Sequence, residues 1–303
     1  MYDIIIVGAG PAGLSAAIYG VRAGKTVLLL EAISYGGQII KTMDIENYPG
    51  IKKTSGFEFA TNLFEQATEL GAEIKYEKVM GIEESGDKKI VVTESGQYEC
   101  TAVILATGAK NRPLGVEGEE KLIGSGISYC ATCDGAFFRG KDVAVVGGGN
   151  TALEDALFLS EYCNKVYVIH RRDAFRGEEA LQKQLSARPN VEFVLDSVVD
   201  KLKGDLAVEG IQVKNLKTDE TDNIDVKGIF VAIGQMPENK EFNQLVDLDE
   251  KGYIAASEIC KTKTPGIFTA GDCRTKTVRQ LATAASDGAI SALAAVEYIN
   301  EKR

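Results

Sequence analysis

The apolar positions of this chain come in short unbroken runs rather than long stripes. After Asp3 the sequence reads Ile4-Ile5-Ile6-Val7 and stops at Gly8. Such a run, closed by a turn signal, predicts a strand from Asp3 to Val7. The period then changes. Gly8-Ala9-Gly10-Pro11-Ala12-Gly13 leads into a small-residue apolar helix from Leu14 to Ala23, and Thr26–Leu30 returns to a strand that stops at Glu31. The same order recurs later: a strand Asp142–Val146, Gly147-Gly148-Gly149-Asn150-Thr151-Ala152, a helix through Leu159, a strand Val166–Ile169, then His170. Gly8 to Glu31 and Gly147 to His170 both span 23 positions, so one supersecondary unit is used twice.

A glycine-rich turn between a strand and a helix turns tightly, lets a pyrophosphate approach the amides and aims the helix N-terminus at its charge. Two such units predict an α/β fold with two Rossmann-like dinucleotide-binding domains. Two further strand-like runs, Thr101–Leu105 closing on Ala106-Thr107-Gly108 and Gly266–Ala270 closing on Gly271-Asp272, flank the second unit. If both complete the first site, the second domain is an insertion covering residues 114–240, and residues 1–113 with 241–303 form the first domain. Asn111-Arg112-Pro113 and Gln235-Met236-Pro237-Glu238-Asn239 have the punctuation expected of the two crossings.

The ends of the second strands separate the ligands. Glu31 suits the ribose hydroxyls of FAD or NAD and repels a 2′-phosphate. His170-Arg171-Arg172, with Arg176 four positions after Arg172, offers guanidinium forks to that phosphate and predicts NADPH. An arginine pair is usually a solvated face; its register behind a glycine turn argues for the ligand.

Six cysteines include one close pair, Cys130-Ala131-Thr132-Cys133. Such a pair can be a redox couple, half of a zinc site or two packed thiols. Cys100, Cys163, Cys260 and Cys273 are isolated and His170 is the only histidine, so no zinc set completes and no metal is expected. A dithiol in a chain with two dinucleotide sites reads as redox-active. Cys273, directly after Asp272, reads as a packed small residue, like the other three. A net charge of −10 and scattered basic residues argue against nucleic acid. The longest apolar runs fall far below the roughly 20 residues of a membrane span. With no leader pattern in the opening strand, the expected location is cytoplasmic.

Taken together, Gly8–Gly13, Gly36-Gly37-Gln38, Glu46-Asn47-Tyr48-Pro49-Gly50, Cys130–Gly135, Gly147–Ala152, His170–Arg176, Ala270-Gly271-Asp272 and Arg279-Gln280 closely resemble the low-molecular-weight thioredoxin reductases. These are FAD-containing pyridine nucleotide-disulfide oxidoreductases, and the resemblance covers essentially the whole chain. Cys-Ala-Thr-Cys-Asp just before the second glycine turn is its specific element. The resemblance implies that Cys133 faces the flavin, that Cys130 attacks the substrate disulfide and that Asp134 manages the proton, although Asp134 also suits a helix N-cap. It assigns to FAD Gly8, Gly10, Pro11, Ala12, Gly13, Glu31, Gly37, Gln38, Asn47, Ala106, Thr107, Gly108, Gly271, Asp272, Arg279, Gln280, Leu281 and Ala282. To NADPH it assigns Gly148, Gly149, Asn150, Thr151, His170, Arg171, Arg172, Arg176, Ile233 and Gly234. It further implies a homodimer and a separate thioredoxin as acceptor. The rival readings are a related reductase for a specialised thioredoxin-like or peroxidase-reducing partner, and a non-catalytic flavin or nucleotide sensor.

Overall fold

A computed structural model describes residues 1–42 and 44–302. The chain divides into two compact units, one of residues 1–110 with the segment from 236 onward, the other of residues 111–235. The first unit opens with β1 (Tyr2–Val7), α1 (Pro11–Arg22) and β2 (Val27–Glu31), with β1 and β2 parallel. Helix α1 starts at Pro11, ahead of the Leu14 read from the apolar pattern. Proline is preorganised for the first helical position and lacks only an N–H that would be orphaned there.

Helix α2 (Gly56–Glu69), capped by the Ser55 side chain, leads to β3 (Glu73–Tyr76); the hairpin β4 (Val79–Ser85) and β5 (Lys88–Thr93) then leads to β6 (Gln97–Leu105). The strand order is β3-β2-β1-β6-β5-β4. Side chains alternate across the sheet: Ile4, Ile6, Leu29 and Ile104 enter one core, while Ile5, Val7, Leu30 and Leu105 enter another. Both faces are covered, which is why β1 is apolar at every position from Ile4 on.

Strand β7 (Ala109–Asn111) leaves this unit. The second unit runs α3 (Glu119–Leu122), β8 (Ile127–Ser128), α4 (Ala131–Asp134), β9 (Asp142–Val146), α5 (Asn150–Ser160), β10 (Lys165–Ile169), α6 (Glu179–Ser186) and β11 (Val191–Val194). An antiparallel sheet β12 (Ser197–Lys203), β13 (Gly210–Asn215) and β14 (Thr221–Ile224) precedes β15 (Gly228–Val231). The parallel sheet has the order β11-β10-β9-β15-β8, again with two apolar faces, Ala144 and Val146 on one and Val143 and Val145 on the other.

Strand β16 (Gln235–Pro237) pairs with β7, so the outgoing and returning segments are hydrogen-bonded to each other. Back in the first unit, β17 (Ile267–Thr269) joins β6 in parallel, and α7 (Leu281–Glu301) packs on α1. That helix contact is close. A Cβ on Gly288 would stand 2.2 Å from the Ala12 carbonyl, and the Ser15 hydroxyl donates to the Ala285 carbonyl at 2.7 Å.

Candidate functional site

The glycines of the first turn have distinct reasons to be glycine. Gly8, at φ +106°, sits where a Cβ would meet the Ala106 carbonyl at 2.4 Å, and a Cβ on Gly13 would meet the Gly8 carbonyl at 1.8 Å. Gly10 has an ordinary extended backbone (φ −73°, ψ 179°), and a Cβ there would touch nothing within 4 Å. Neither backbone nor packing demands glycine at Gly10, and the space above it leaves the N-terminus of α1 open to close approach by a ligand. Glu31 leans over the same turn, its carboxylate accepting from the Ala9 amide at 2.8 Å and the Ile33 amide at 2.9 Å. Gly37 comes within reach, its hypothetical Cβ 3.3 Å from the Gly10 Cα.

Gln38 is exposed in the short helical turn Gly37–Lys41, and the remaining first-unit candidates fall into two connected groups. Asn47 donates to the Gln280 side chain at 3.3 Å, and Gln280 with Thr283 forms the capping box of α7, whose first residues are Leu281 and Ala282. Thr107 donates to Asn239 at 2.8 Å, and Asn239, 1% exposed, donates to the carbonyls of Gly252 and Cys273. Asn239 therefore ties the Ala106–Gly108 turn to the one bearing Asp272. The Asp272 Oδ1 and the Arg279 Nε are buried without a hydrogen-bond partner. Burial pushes the Asp272 carboxyl above the usual carboxylate range, against the pull of Lys276 and Arg279. A buried carboxylate oxygen and a guanidinium nitrogen without partners, beside an open glycine turn, fit a polyhydroxylated dinucleotide.

The second turn repeats the arrangement. A Cβ on Gly147 would lie 2.5 Å from the Ala232 carbonyl, as Gly8 does with Ala106. Gly149, like Gly10, is extended and meets nothing within 4 Å. Gly148 is fixed by His170, whose ring would be 2.3 Å from a Cβ there. His170 is buried and stacks on Phe175 with centroids 5.5 Å apart. Burial and the nearby Arg176, Arg172 and Arg171 hold its pKa down, so the ring is neutral at pH 7. The Arg176 and Gly177 amides both donate to the Gly148 carbonyl, at 2.7 and 3.1 Å, fastening the arginine loop to the glycine turn. Arg171, Arg172 and Arg176 are exposed and form no ion pair among the described residues. Asn150 is held by a reciprocal pair with Glu178, both bonds 2.8 Å; Thr151 and Gly234 are exposed and Ile233 half-buried.

In the same unit Cys130 and Cys133 form a disulfide. Cys130 precedes α4, and its carbonyl accepts from the Cys133 and Asp134 amides. Asp134 makes no capping bond to the following turn; its Oδ2 accepts from the Ser128 hydroxyl at 2.6 Å. Burial pushes the Asp134 carboxyl up and the Ser128 bond partly offsets this, leaving a group able to carry a proton beside the disulfide. Tyr129 donates to buried Glu119 at 2.7 Å, and Glu119 also accepts from the Leu114 and Gly115 amides. Cys100, Cys163, Cys260 and Cys273 are buried. Burial raises the first to about 12 and Cys163 and Cys260 to about 11, so these three are thiols at neutral pH. No group of three metal-ligating side chains occurs among the described residues. A groove of about 960 Å³ between β10, β11, β13 and β14 contains none of the candidate residues.

Pattern reading missed Ser128, Glu119 and Asn239, whose roles depend on contacts remote in sequence. It also missed Asp287, although a lone charge in the small-residue run Ala284-Ala285-Ser286-Asp287-Gly288 was a usable signal.

The family profile described as pyridine nucleotide-disulphide oxidoreductase matches residues 2–289. The thioredoxin reductase of Peptoclostridium acidaminophilum is 42% identical, over 99% of this chain and 97% of that protein. That of Bacillus subtilis is 40% identical, over 99% and 95%. The crystal structure of thioredoxin reductase from Streptococcus pyogenes superposes with a TM-score of 0.95 at 42% identity, covering 99% of both chains.

Proposed function

The chain belongs to the pyridine nucleotide-disulphide oxidoreductases, and from that premise we propose that it is an NADPH-dependent thioredoxin reductase containing FAD. The observation that carries this reading is the Cys130–Cys133 disulfide with Asp134, a half-buried carboxyl that burial pushes up, one residue beyond it, in a chain with two glycine-turn units.

In this reading FAD belongs to the first unit. Gly8, Gly10, Pro11, Ala12 and Gly13 receive the pyrophosphate and Glu31 the ribose. Gly37, Gln38, Asn47, Ala106, Thr107 and Gly108 line the cofactor. Asp272, beside Gly271, takes the ribityl hydroxyls, and Arg279, Gln280, Leu281 and Ala282 lie toward the ring. NADPH belongs to the second unit, with Gly148, Gly149, Asn150 and Thr151 at its pyrophosphate, Ile233 and Gly234 beside it, and His170, Arg171, Arg172 and Arg176 around the 2′-phosphate. The free guanidinium groups support NADPH over NADH.

FAD, when bound, takes a hydride from NADPH and passes the electron pair to a disulfide. The pair enters the Cys130–Cys133 bond and breaks it. The Cys130 thiolate then attacks the acceptor disulfide, forming a mixed disulfide and expelling one acceptor thiolate, which Asp134 protonates. Cys133 attacks the Cys130 sulfur, restores the internal disulfide and releases the second acceptor sulfur. In sum, NADPH, one proton and an acceptor disulfide become NADP⁺ and a dithiol.

We place the protein in the cytoplasm, and we read it as a homodimer, as the family resemblance implies. No helix among the described residues is long and apolar enough to cross a membrane. A monomer mass by light scattering would remove the dimer. The decisive experiment follows NADPH oxidation by the purified flavoprotein with a small aromatic disulfide, with and without thioredoxin. Thioredoxin-dependent turnover abolished by Cys133→Ser is expected. Flavin reduction without turnover would shift the reading to another acceptor or to a sensor, and no flavin reduction by NADPH would overturn the donor.

A further inference from the structure

Beneath the Gly271–Asp272 turn lies an ionic cluster that the scheme above leaves without a role. Asp287, on α7, is 4% exposed. Its Oδ1 accepts from Arg274 Nη2 at 2.8 Å. Its Oδ2 accepts from Arg274 Nε at 2.8 Å, Lys276 Nζ at 2.9 Å and the Gly271 amide at 3.0 Å. Burial pushes this carboxyl up, and the bonds from Arg274 and Lys276 together outweigh it, so the net displacement is downward and Asp287 is ionised. The Lys276 side chain is 7% exposed and has a second carboxylate nearby, the Asp272 Oδ1 at 3.9 Å. Lys276 is bonded to one acid and stands just short of the other.

We propose that Asp287 is a positioning residue of the FAD site. By holding Lys276, Arg274 and the Gly271 amide, it keeps Lys276 from hydrogen-bonding the Asp272 Oδ1 and leaves that oxygen available to the ribityl hydroxyls. This rests on the assignment of FAD to the first unit.

The argument is one of competition for a buried ammonium. An uncompensated buried charge is costly, and among the described residues Asp272 is the only other carboxylate in ion-pair reach of Lys276. Without Asp287, Lys276 closes that gap and occupies the oxygen the ligand needs. Loss of the Gly271 bond at the same time releases the turn. The cluster therefore serves the ligand by pairing with itself.

The test uses the full chain stripped of FAD and titrated with FAD by calorimetry. Asp287→Asn is expected to raise the FAD dissociation constant about 10- to 100-fold, the range for one lost hydrogen bond to a charged group. Adding Lys276→Met to it removes the competing cation and is expected to recover most of the affinity. A purely structural staple has the opposite signature, because the double variant then binds FAD no better than Asp287→Asn; that result overturns the proposal, as does unchanged affinity in Asp287→Asn. Lys276→Met alone leaves Asp287 paired with Arg274 and should bind FAD as tightly as wild type or more so. A tenfold loss there overturns the proposal even where the Asp287 variants do not fold. Wild-type protein that binds no FAD overturns the cofactor assignment, and this inference with it.

Discussion

Gly10 and Gly13 stand three positions apart in one turn, yet the fold needs only the second. Any side chain at Gly13 drives a carbon into the Gly8 carbonyl, whereas at Gly10 it projects into open space from an unstrained backbone. In FAD-stripped protein, Gly13→Ala should cost roughly 1–3 kcal/mol by overpacking. Gly10→Ala should change stability by less than about 0.5 kcal/mol, because its backbone angles suit alanine and no packing opposes it. Flavin affinity should fall in Gly10→Ala all the same. Urea unfolding of the stripped protein beside flavin titration checks both; equal unfolding free energies for the two variants would refute the distinction. Spacing alone announces a glycine motif, but which glycine serves the chain and which the ligand is visible only when the facing carbonyls are in place.

Helix α5 illustrates the conflict an element can carry. Its buried face, Ala152, Leu153, Ala156 and Leu159, packs against the parallel sheet, and Asp155 lies half-buried at the edge of that face. Burial, with a smaller contribution from Glu154, raises the Asp155 carboxyl to about 7. A carboxyl whose folded pKa lies above its unfolded value binds its proton more tightly when folded. It opposes folding progressively as pH rises from about 4 through 7. Asp155→Asn should therefore stabilise the protein at pH 8 by on the order of 1–3 kcal/mol and confer nothing at about pH 2, well below the unfolded pKa, where both states are protonated. Thermal or urea unfolding at the two pH values measures this, and an equal effect at both would refute the assignment. The strand–turn–helix order located α5, but Asp155 sits beside Glu154, another acid, which is exposed. One residue of rotation separates a solvated acid from a strained one, and only the packed helix shows which is which.

At the scale of the molecule, the segment 111–235 leaves and rejoins the first unit through paired strands: the Gln235 side chain donates to Asn111 at 2.9 Å, and the Arg112 amide donates to the Gly234 carbonyl at 3.0 Å. Adjacent ends and two apolar cores of its own give it what an independent domain needs. Expressed alone, this segment should unfold in one cooperative transition and bind 2′,5′-ADP more tightly than 5′-ADP, through Arg171, Arg172 and Arg176; calorimetry showing no preference would reject the phosphate site. The sequence by itself determined the two βαβ units, their glycine turns, the opposite charges that end them and the Cys-x-x-Cys pair. Each is written in neighbouring residues, where strand and helix periods and turn chemistry act locally. Tertiary structure alone decided that Ser128 rather than a cap partners Asp134, that Asn239 joins two turns 132 and 34 positions away, and that Lys276 bonds Asp287 at 2.9 Å with Asp272 at 3.9 Å. Those contacts satisfy buried polar groups, and a buried group takes whatever partner the packed chain brings to it, at a sequence distance that no local pattern records.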